Sequence, residues 1–350
     1  MKSNYKSIGE LVERIDERNR DGAITTLIGV SIDKKFIPSV ANVIGTDLTS
    51  YKVIRKYDFA VSLMQVSRDE KIPVACQKEY DAAIMSPAYP IFRVKDTNVI
   101  LPEYLEMWFM RSEFDREASF IAVGGVRGSM PWEEFAKLKL PVPDIQEQEK
   151  IVSSYRAVAD RIDLKKQIND NLEATLSALF AETFASQEGA EKVKLGELIS
   201  FGNGKSRPKT DGTIPVYGGN GILSYTDQHN NKNVVLIGRV GAYCGSVYLE
   251  QDLCWVSDNA IFAKSKISNS EYFDYYLLKG LNLFNHHVGT GQQLLTQEIL
   301  NNIEVVKPDF ALIECFNNKA KSVYDSITNN EKEIIRLQDL SSLLLSRLAG

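Results

Sequence analysis

The sequence predicts an α+β chain: two pseudo-repeated mixed α/β domains separated by two long antiparallel coiled-coil helices. The first observation is a duplication within the 350 residues. The opening motif SIGELV (Ser7 to Val12) returns as KLGELI (Lys194 to Ile199), and EYLEMWFM (Glu103 to Met110) as EYFDYYLL (Glu271 to Leu278). The stretch GGVRGSMPWEEFAKLKLPVP, ending at Pro143, parallels GTGQQLLTQEILNNIEVVKP, ending at Pro308. At an offset of 165, Gly124 meets Gly289, Glu133 meets Glu298, Leu138 meets Ile303 and Pro143 meets Pro308. Similarity at a fixed spacing of this kind marks two copies of one structural unit.

The second observation is the heptad pattern after each proline stop. Steps of three and four give Gln148, Ile151, Tyr155, Val158, Ile162, Lys165, Asn169, Leu172, Leu176, Leu179 and Thr183 in one helix. The other gives Ile313, Phe316, Ala320, Val323, Ile327, Asn330, Ile334, Leu337, Ser341, Leu344 and Leu348. Both are coiled-coil seams, and at 1.5 Å per residue helices of about 40 residues reach ~60 Å. Each helix would otherwise pack on its own domain; if the two pair, connectivity makes the pairing antiparallel, with the domains at opposite ends about an approximate two-fold axis. The polar seam residues Lys165 and Asn330 then meet near the dyad, Leu172 lies by Val323, Val158 by Leu337 and Leu179 by Phe316. Polar seam residues cost stability and fix register.

The third observation is the texture of the intervening segments. Runs such as YKVIRKYDFAVSL, NVVLIGRV and GSVYL read as strands, separated by turn clusters such as GNGKSRPKTDG and YTDQHNNKN. One helix interrupts each copy, near Pro102 to Glu117 and near Ser270 to Phe284. The expected segments are a first domain over 1–145, a helix over 146–188, a second domain over 189–308 and a helix over 309–350.

Composition bounds the function. A chain with 44% hydrophobic and 25% charged residues is globular, long enough for two cores. No run approaches the ~18 to 20 apolar residues of a membrane span, and Met1 to Arg20 is too charged for a signal peptide, so the expected address is cytoplasmic. Cys76, Cys244, Cys254 and Cys315 lie far apart, and only His229, His286 and His287 could add imidazole, which argues against disulfide or zinc frameworks. The net charge of −5 is spread unevenly. Residues 1–145 carry 20 Lys/Arg against 21 Asp/Glu, residues 191–308 carry 11 against 11, and residues 146–190 carry 5 against 8. Near-neutral domains permit a basic face without demanding one.

Catalytic motifs are imitated and not completed. GNGKS (Gly202 to Ser206) lacks the first glycine of a phosphate-binding loop, which would fall at Ile199. SPAY (Ser86 to Tyr89) approaches an amino-methyltransferase motif without any glycine-rich cofactor loop, and reads as a turn between strands. His286 and His287 have no acid or cysteine at a matching spacing and read as a helix end. What recurs instead is loops of cations, amides and aromatics. In the second copy these carry Lys205, Arg207, Lys209, Asn220, Tyr225, Arg239, Tyr243, Gln292 and Gln293; in the first, Arg18, Arg20, Lys34, Lys35, Lys52, Arg55, Arg68 and Arg127. Lys and Arg suit phosphates, and Arg, Asn and Gln suit base edges. Each one taken alone also reads as a solvated surface charge.

With these residues assembled, the chain resembles the specificity subunit of type I restriction-modification systems along nearly its whole length. The carriers in the second copy are KLGEL, NGKSRPK, IPVYGGNGI, LIGRVGAYCGS and CWVSDNAIF. In the first they are VSIDKKFIPS, YKVIRKYDFAVSLMQVSR, SPAYPIFRV and LKLPVPDIQEQEKI. The last looks like the family's signature for a recognition domain giving way to its spacer helix; its counterpart, VVKPDFALIECF, lacks the EQ pair. The resemblance implies that two target-recognition domains each read half of a split site in double-stranded DNA, while the helices set the gap and dock two methyltransferase subunits. It implies no catalytic residue, metal or cofactor on this chain. S-adenosylmethionine, ATP and magnesium belong to the methyltransferase and restriction/translocase partners. Two other readings stay open: a stand-alone duplicated adenine methyltransferase, and a non-catalytic coiled-coil scaffold.

Overall fold

The computed structural model describes residues 4–39, 46–64, 66–123, 128–185, 190–289 and 293–349. The chain forms two compact units, residues 1–164 with 333–350, and residues 165–332.

Unit 1 opens with β1 (Tyr5–Ser7), α1 (Ile8–Leu11), β2 (Val12–Ile15), β3 (Ile28–Val30), β4 (Phe36–Pro38), β5 (Lys52–Arg55) and β6 (Phe59–Val61). It continues through α2 (Val66–Asp69), β7 (Val74–Cys76), β8 (Ala82–Met85), β9 (Ile91–Val94), α3 (Pro102–Phe109), α4 (Ser112–Ala122), α5 (Trp132–Lys137) and β10 (Lys139–Pro141). Then α6 (Ile145–Thr183) leads into unit 2. There follow β11 (Lys192–Lys194), α7 (Leu195–Leu198), β12 (Ile199–Asn203), β13 (Ile214–Gly218), β14 (Gly221–Thr226), β15 (Asn231–Gly238), β16 (Val247–Val256) and β17 (Ala260–Ser265). The chain closes with α8 (Glu271–Gly280), α9 (Gln297–Asn302), β18 (Glu304–Val306) and α10 (Phe310–Ser346).

The duplication is structural. β1 and β11, and α1 and α7, stand 187 positions apart; α5 and α9, β10 and β18, and the starts of α6 and α10 stand 165 apart. Equivalent contacts repeat with them. β1 pairs antiparallel with β10, and β11 with β18. The amides of Ile8 and Leu195 donate to Leu138 O and Ile303 O, each at 2.8 Å. The glycine of the opening motif has the same reason in both copies, since a Cβ on Gly9 would press Ala136 at 3.2 Å and one on Gly196 would meet Asn301 Oδ1 at 2.5 Å. A side chain at either position would crowd the short opening helix against the helix before the proline stop, more severely at Gly196 than at Gly9.

Within that frame the domains differ. Unit 1 builds a four-stranded sheet in the order β2-β9-β6-β7 and two-stranded ribbons, whereas unit 2 builds one six-stranded sheet in the order β12-β17-β15-β16-β13-β14. The unit 1 core is aromatic: Phe59, Phe92, Phe109 and Phe135 are at most 1% exposed and their rings meet at 5.2 to 6.2 Å. The helix expected over Pro102 to Glu117 is broken into α3 and α4, because Arg111 takes an extended conformation at the head of α4.

The seam positions behave as the heptads require: among the described residues all of them are buried or half-buried. In unit 2 Lys165 Nζ donates to Asn330 Oδ1 at 2.9 Å, and Asn330 Nδ2 donates to Asn169 Oδ1 at 2.8 Å. Fifteen residues further along α6, the ring of Phe180 meets Phe316 edge-on at 5.4 Å, and Leu179, Phe316 and Val323 share one core. The partner's numbers fall as those of α6 rise, so the segments run antiparallel in the expected register. In unit 1 Arg161 pairs with Glu333, while Val152 and Leu348 enter the same core, again antiparallel.

Buried amides fasten these helices to the domains. Gln148, fully buried, accepts from Leu101 N at the head of α3 at 2.9 Å and donates to Val99 O and Pro143 O. The second copy lacks that glutamine, and Asn317 does the work from one turn further along: it accepts from Phe273 N in the first turn of α8 at 2.9 Å and donates to Asn269 O. Asp144 and Asp309 cap the two long helices, accepting from Glu147 N and Ala311 N at 2.9 and 2.8 Å. The lost EQ pair therefore leaves the start of α10 unaltered.

Beside Asn317, α8 buries Asp274, 2% exposed, with Ser270 Oγ donating to Oδ2 at 3.4 Å and Oδ1 unpartnered among the described residues. Burial pushes its carboxyl up to about 7, against the hydrogen bonds of Ser265 and Ser270. The native state thus keeps a proton that the unfolded chain releases near its ordinary 3.8, so stability falls as pH rises between about 4 and about 7 and the loss is complete above that window. Asp274→Asn should remove a contribution with a slope on the order of 1 kcal/mol per pH unit. Melts of both proteins at intervals from pH 4.5 to 8 check this, and parallel curves would contradict it.

Candidate nucleic-acid interface

Five segments of unit 2 meet at one end of the six-stranded sheet, held by main-chain hydrogen bonds. Gly204 N donates to Ala260 O and Lys205 N to Val256 O, which ties the segment after β12 to the β16–β17 turn. Ser257 N donates to Tyr217 O, and Ser246 Oγ to Gly219 O at 2.5 Å, which bring in the β13–β14 turn and the β15–β16 connection. Arg239 N donates to Asn259 O, Gly241 N to Gln293 O and Leu295 N to Arg239 O, which add the segment before α9. Gly238 has to be glycine, since a Cβ there would lie 2.2 Å from Tyr243 O.

These segments place Lys205, Asn220, Arg239, Tyr243 and Gln293 on one bonded set of loops. Lys205, Arg207 and Lys209 are exposed, and no side-chain hydrogen bond or ion pair is recorded for them among the described residues. Asn220 is exposed at the hairpin tip; Tyr225 and Tyr243 are 53% and 51% exposed. Arg239 is half-buried, and its buried Nε has no partner among the described residues. Gln293 is half-buried; Gln292 lies outside the described residues. Free cations can neutralise phosphates, and amides and Arg can address base edges.

In unit 1 most of the described candidate cations are occupied. Lys34 corrects the sequence reading: it is 6% exposed, pairs with Asp115 Oδ1 at 2.7 Å and donates to Phe109 O. Burial lowers its ammonium pKa despite that carboxylate, and it cannot reach a phosphate without breaking the core. Lys52 is also 6% exposed, donates to Tyr89 O at 3.0 Å and lies 3.6 Å from Asp16 Oδ1, so it too is structural. Arg18 binds Asp16 at 2.8 Å, Arg55 binds Glu17 through two nitrogens, and Arg68 binds Asp69 through two. Hydrogen bonds from these guanidiniums hold all three carboxyls below their ordinary values. Exposed pairs of this kind contribute little to stability, so a phosphate can displace the carboxylate. Arg20 and Lys35 are exposed with no side-chain bond recorded among the described residues, and Arg127 lies outside them.

The imitated catalytic motifs resolve as read. GNGKS runs off the end of β12 into an irregular segment rather than a helix. SPAY is a turn, with Tyr89 N donating to Ser86 O at 3.2 Å. His286 ends a 3₁₀ turn (Leu283–His286) and His287 caps it. Among the described residues no cluster of His, Cys, Asp and Glu could hold a metal, and no helix is long and apolar enough to cross a membrane. The sequence reading missed the exposed apolar residues Ile222 and Leu223 on β14, and Phe284 and Val288. The GILSY run gave no signal for the first two, since adjacent apolar residues are buried on both faces where a strand is central, as Val234 to Ile237 are in β15.

Comparison with known proteins adds a family. Residues 73–174 and 187–310 match the family model described as type I restriction modification DNA specificity domain. The HindI specificity subunit of Haemophilus influenzae is 24% identical over 185 residues, 51% of this chain and 40% of that protein. The MjaIX specificity subunit of Methanocaldococcus jannaschii is 21% identical over 299 residues, 71% of this chain and 68% of that protein. This chain thus spans less than half of the HindI protein's length. A crystal structure of the type I restriction-modification S subunit from M. genitalium shares the fold, with a TM-score of 0.62 at 15% identity, covering 99% of this chain and 96% of that one.

Free and paired lysines predict opposite behaviour. Lys205→Ala or Lys209→Ala should each lower the slope of log affinity against log salt on duplex DNA by about 1 and leave the melting temperature unchanged. Lys34→Ala should cost ~3–5 kcal/mol of stability by stranding Asp115 and leave the slope alone. Salt titrations and thermal melts of the three variants read both quantities.

Proposed function

The chain belongs to the type I restriction-modification DNA specificity family, and on that premise we propose that it is the sequence-reading, non-catalytic subunit of a cytoplasmic type I complex. Each unit reads one half of a bipartite site in double-stranded DNA. The paired helices dock two methyltransferase subunits, which supply S-adenosylmethionine chemistry on adenine. Restriction/translocase subunits using ATP and magnesium join through them.

The observation that carries this reading is the bonded loop set of unit 2, which holds Lys205, Asn220 and Arg239; Arg207 and Lys209 follow Lys205 on the same segment, and none of the three cations has an acidic partner among the described residues. A loop set that joins an unpaired cation to amide and guanidinium groups, with further cations on the adjoining segment, suits a duplex: backbone contacts position it and base contacts read it. For docking, the helices keep Leu164, Ile335 and Leu343 more than 45% exposed and off the seam, open to a protein partner. In the proposed mechanism this chain transfers nothing. It holds the duplex in register while the partner's site acts on an extruded adenine.

Mapping methylated adenines in a host that expresses the chain with a type I methyltransferase subunit tests the proposal. A split motif with an unread gap is expected, and no methylation or an uninterrupted motif would overturn it. Inserting one heptad into each helix, near Asn169 and Ile334, keeps the seam in phase and adds ~10 Å to each helix. The unread gap should grow by up to ~3 base pairs while both half-site sequences stay the same. An unchanged gap at full activity would show that the helices do not set it.

A further inference from the structure

The hairpin β13–β14 carries an apolar edge that the core does not use. β14 is the last strand of the six-stranded sheet, and within four residues it exposes Ile222 at 47%, Leu223 at 38% and Tyr225 at 53%. Its pairing with β13 shifts register: Val216 opposes Ser224 while Tyr217 opposes Ile222, so Leu223 is an extra residue in the strand. Such a bulge breaks the strict alternation of side chains and re-aims them, commonly beside functional sites. A long apolar edge strand is an aggregation liability that folds usually blunt with charge or proline. Here the strand reads GILSYT and carries neither.

The surroundings say what covers it. The segment 204–212 bears Lys205, Arg207 and Lys209 against the single acid Asp211. It is tied to the far end of β14 by Thr210 Oγ1, 3.0 Å from Thr226 Oγ1, and to β16 by Trp255 Nε1, which donates to Lys205 O at 3.3 Å. Asp227, the nearest acid in sequence to β14, accepts from Thr210 at 2.5 Å. The other end of β14 adjoins the tip that Ser246 fastens into the bonded loop set. An apolar strand between free cations at one end and the base-reading loops at the other is complementary to a polyanion with an apolar interior, and stacked base pairs are that interior.

We propose that the bulged segment Ile222–Leu223 is a wedge that enters the duplex beside the second half-site and partly unstacks one base step, with Tyr225 lying along the opened groove. Apolar side chains placed between base steps kink DNA, and the energy depends on how readily the step opens. The wedge would make this chain selective for a deformable pyrimidine–purine step at a position where it forms no base-edge hydrogen bond. This inference rests on the DNA-reading function proposed above.

The test uses the full chain with its co-expressed methyltransferase subunit and end-labelled duplexes carrying the mapped site. The double variant Ile222→Ser/Leu223→Ser alters exposed side chains and should melt like the parent. It should bind about tenfold more weakly, lose the bend seen by energy transfer between the duplex ends, and keep the parent's salt slope. A nick or mismatch at the wedged step, which opens the stack in advance, should restore most of its affinity. Parent-like affinity and bending in the variant would overturn the wedge while leaving the function intact. So would loss of the methyltransferase with DNA bending unchanged, which would make the strand a protein contact. A parent complex that binds no duplex would instead remove the function on which the wedge rests.

Discussion

Each domain is held to its long helix by a buried amide, and the placement of the domain on that helix depends on the junction. Gln148 in one unit and Asn317 in the other accept from amides at the heads of α3 and α8 and donate to carbonyls of the loops before them. A buried helix start has main-chain donors that must be satisfied, and supplying the acceptor from the long helix fixes position and angle together in a way that apolar packing does not. The solutions are chemically alike but sit at positions one turn apart in the two copies, so the same constraint is met from different places on the two helices.

The domains built on this junction are not equal partners for a polyanion. In unit 1 most of the described candidate cations lie against carboxylates: Arg18 and Lys52 by Asp16, Arg55 by Glu17, Arg68 by Asp69 and Lys34 by Asp115, while Arg20 and Lys35 do not. In unit 2, Lys205, Arg207 and Lys209 have no such partners among the described residues. Binding by unit 1 would exchange one ion pair for another, with little net charge gained, whereas unit 2 offers charge outright. Unit 2 would thus supply much of the salt-dependent affinity and unit 1 would contribute more through shape and directional bonds. Near-neutral totals of 20 against 21 and 11 against 11 conceal this difference, because composition counts charges and the fold decides which are free.

The frame was legible in the sequence because it is written in periodic and repeated signals. The heptads placed Lys165 opposite Asn330, and the offset of 165 placed α10 from α6. The proline stops and the glycines Gly9 and Gly196 marked contacts that recur in both copies. The candidate site was legible only as a set of loops. Lys34 sits in a polar-looking stretch, VSIDKKF, and nothing local distinguishes a lysine whose carboxylate lies 81 residues away, as Asp115 does from Lys34, from one in solvent; Lys52 starts a strand run, and which of its side chains are buried depends on the pairing with β8. The same limit hid the apolar edge of β14, because exposure depends on which strand ends a sheet and strand order is a long-range property. Asn317 was missed for a third reason: the family signature directed attention to the EQ position, and the substitute lies one turn beyond the equivalent site.

The central claim is that each unit reads its own half of the target. Replacing residues 199–303 with the corresponding segment of another type I specificity subunit, and mapping adenine methylation in cells that carry the chimera, tests it directly. The account predicts a motif in which one half-site becomes that of the donor while the other half and the unread gap persist. A change in both halves, or a motif unaltered by the exchange, would contradict it.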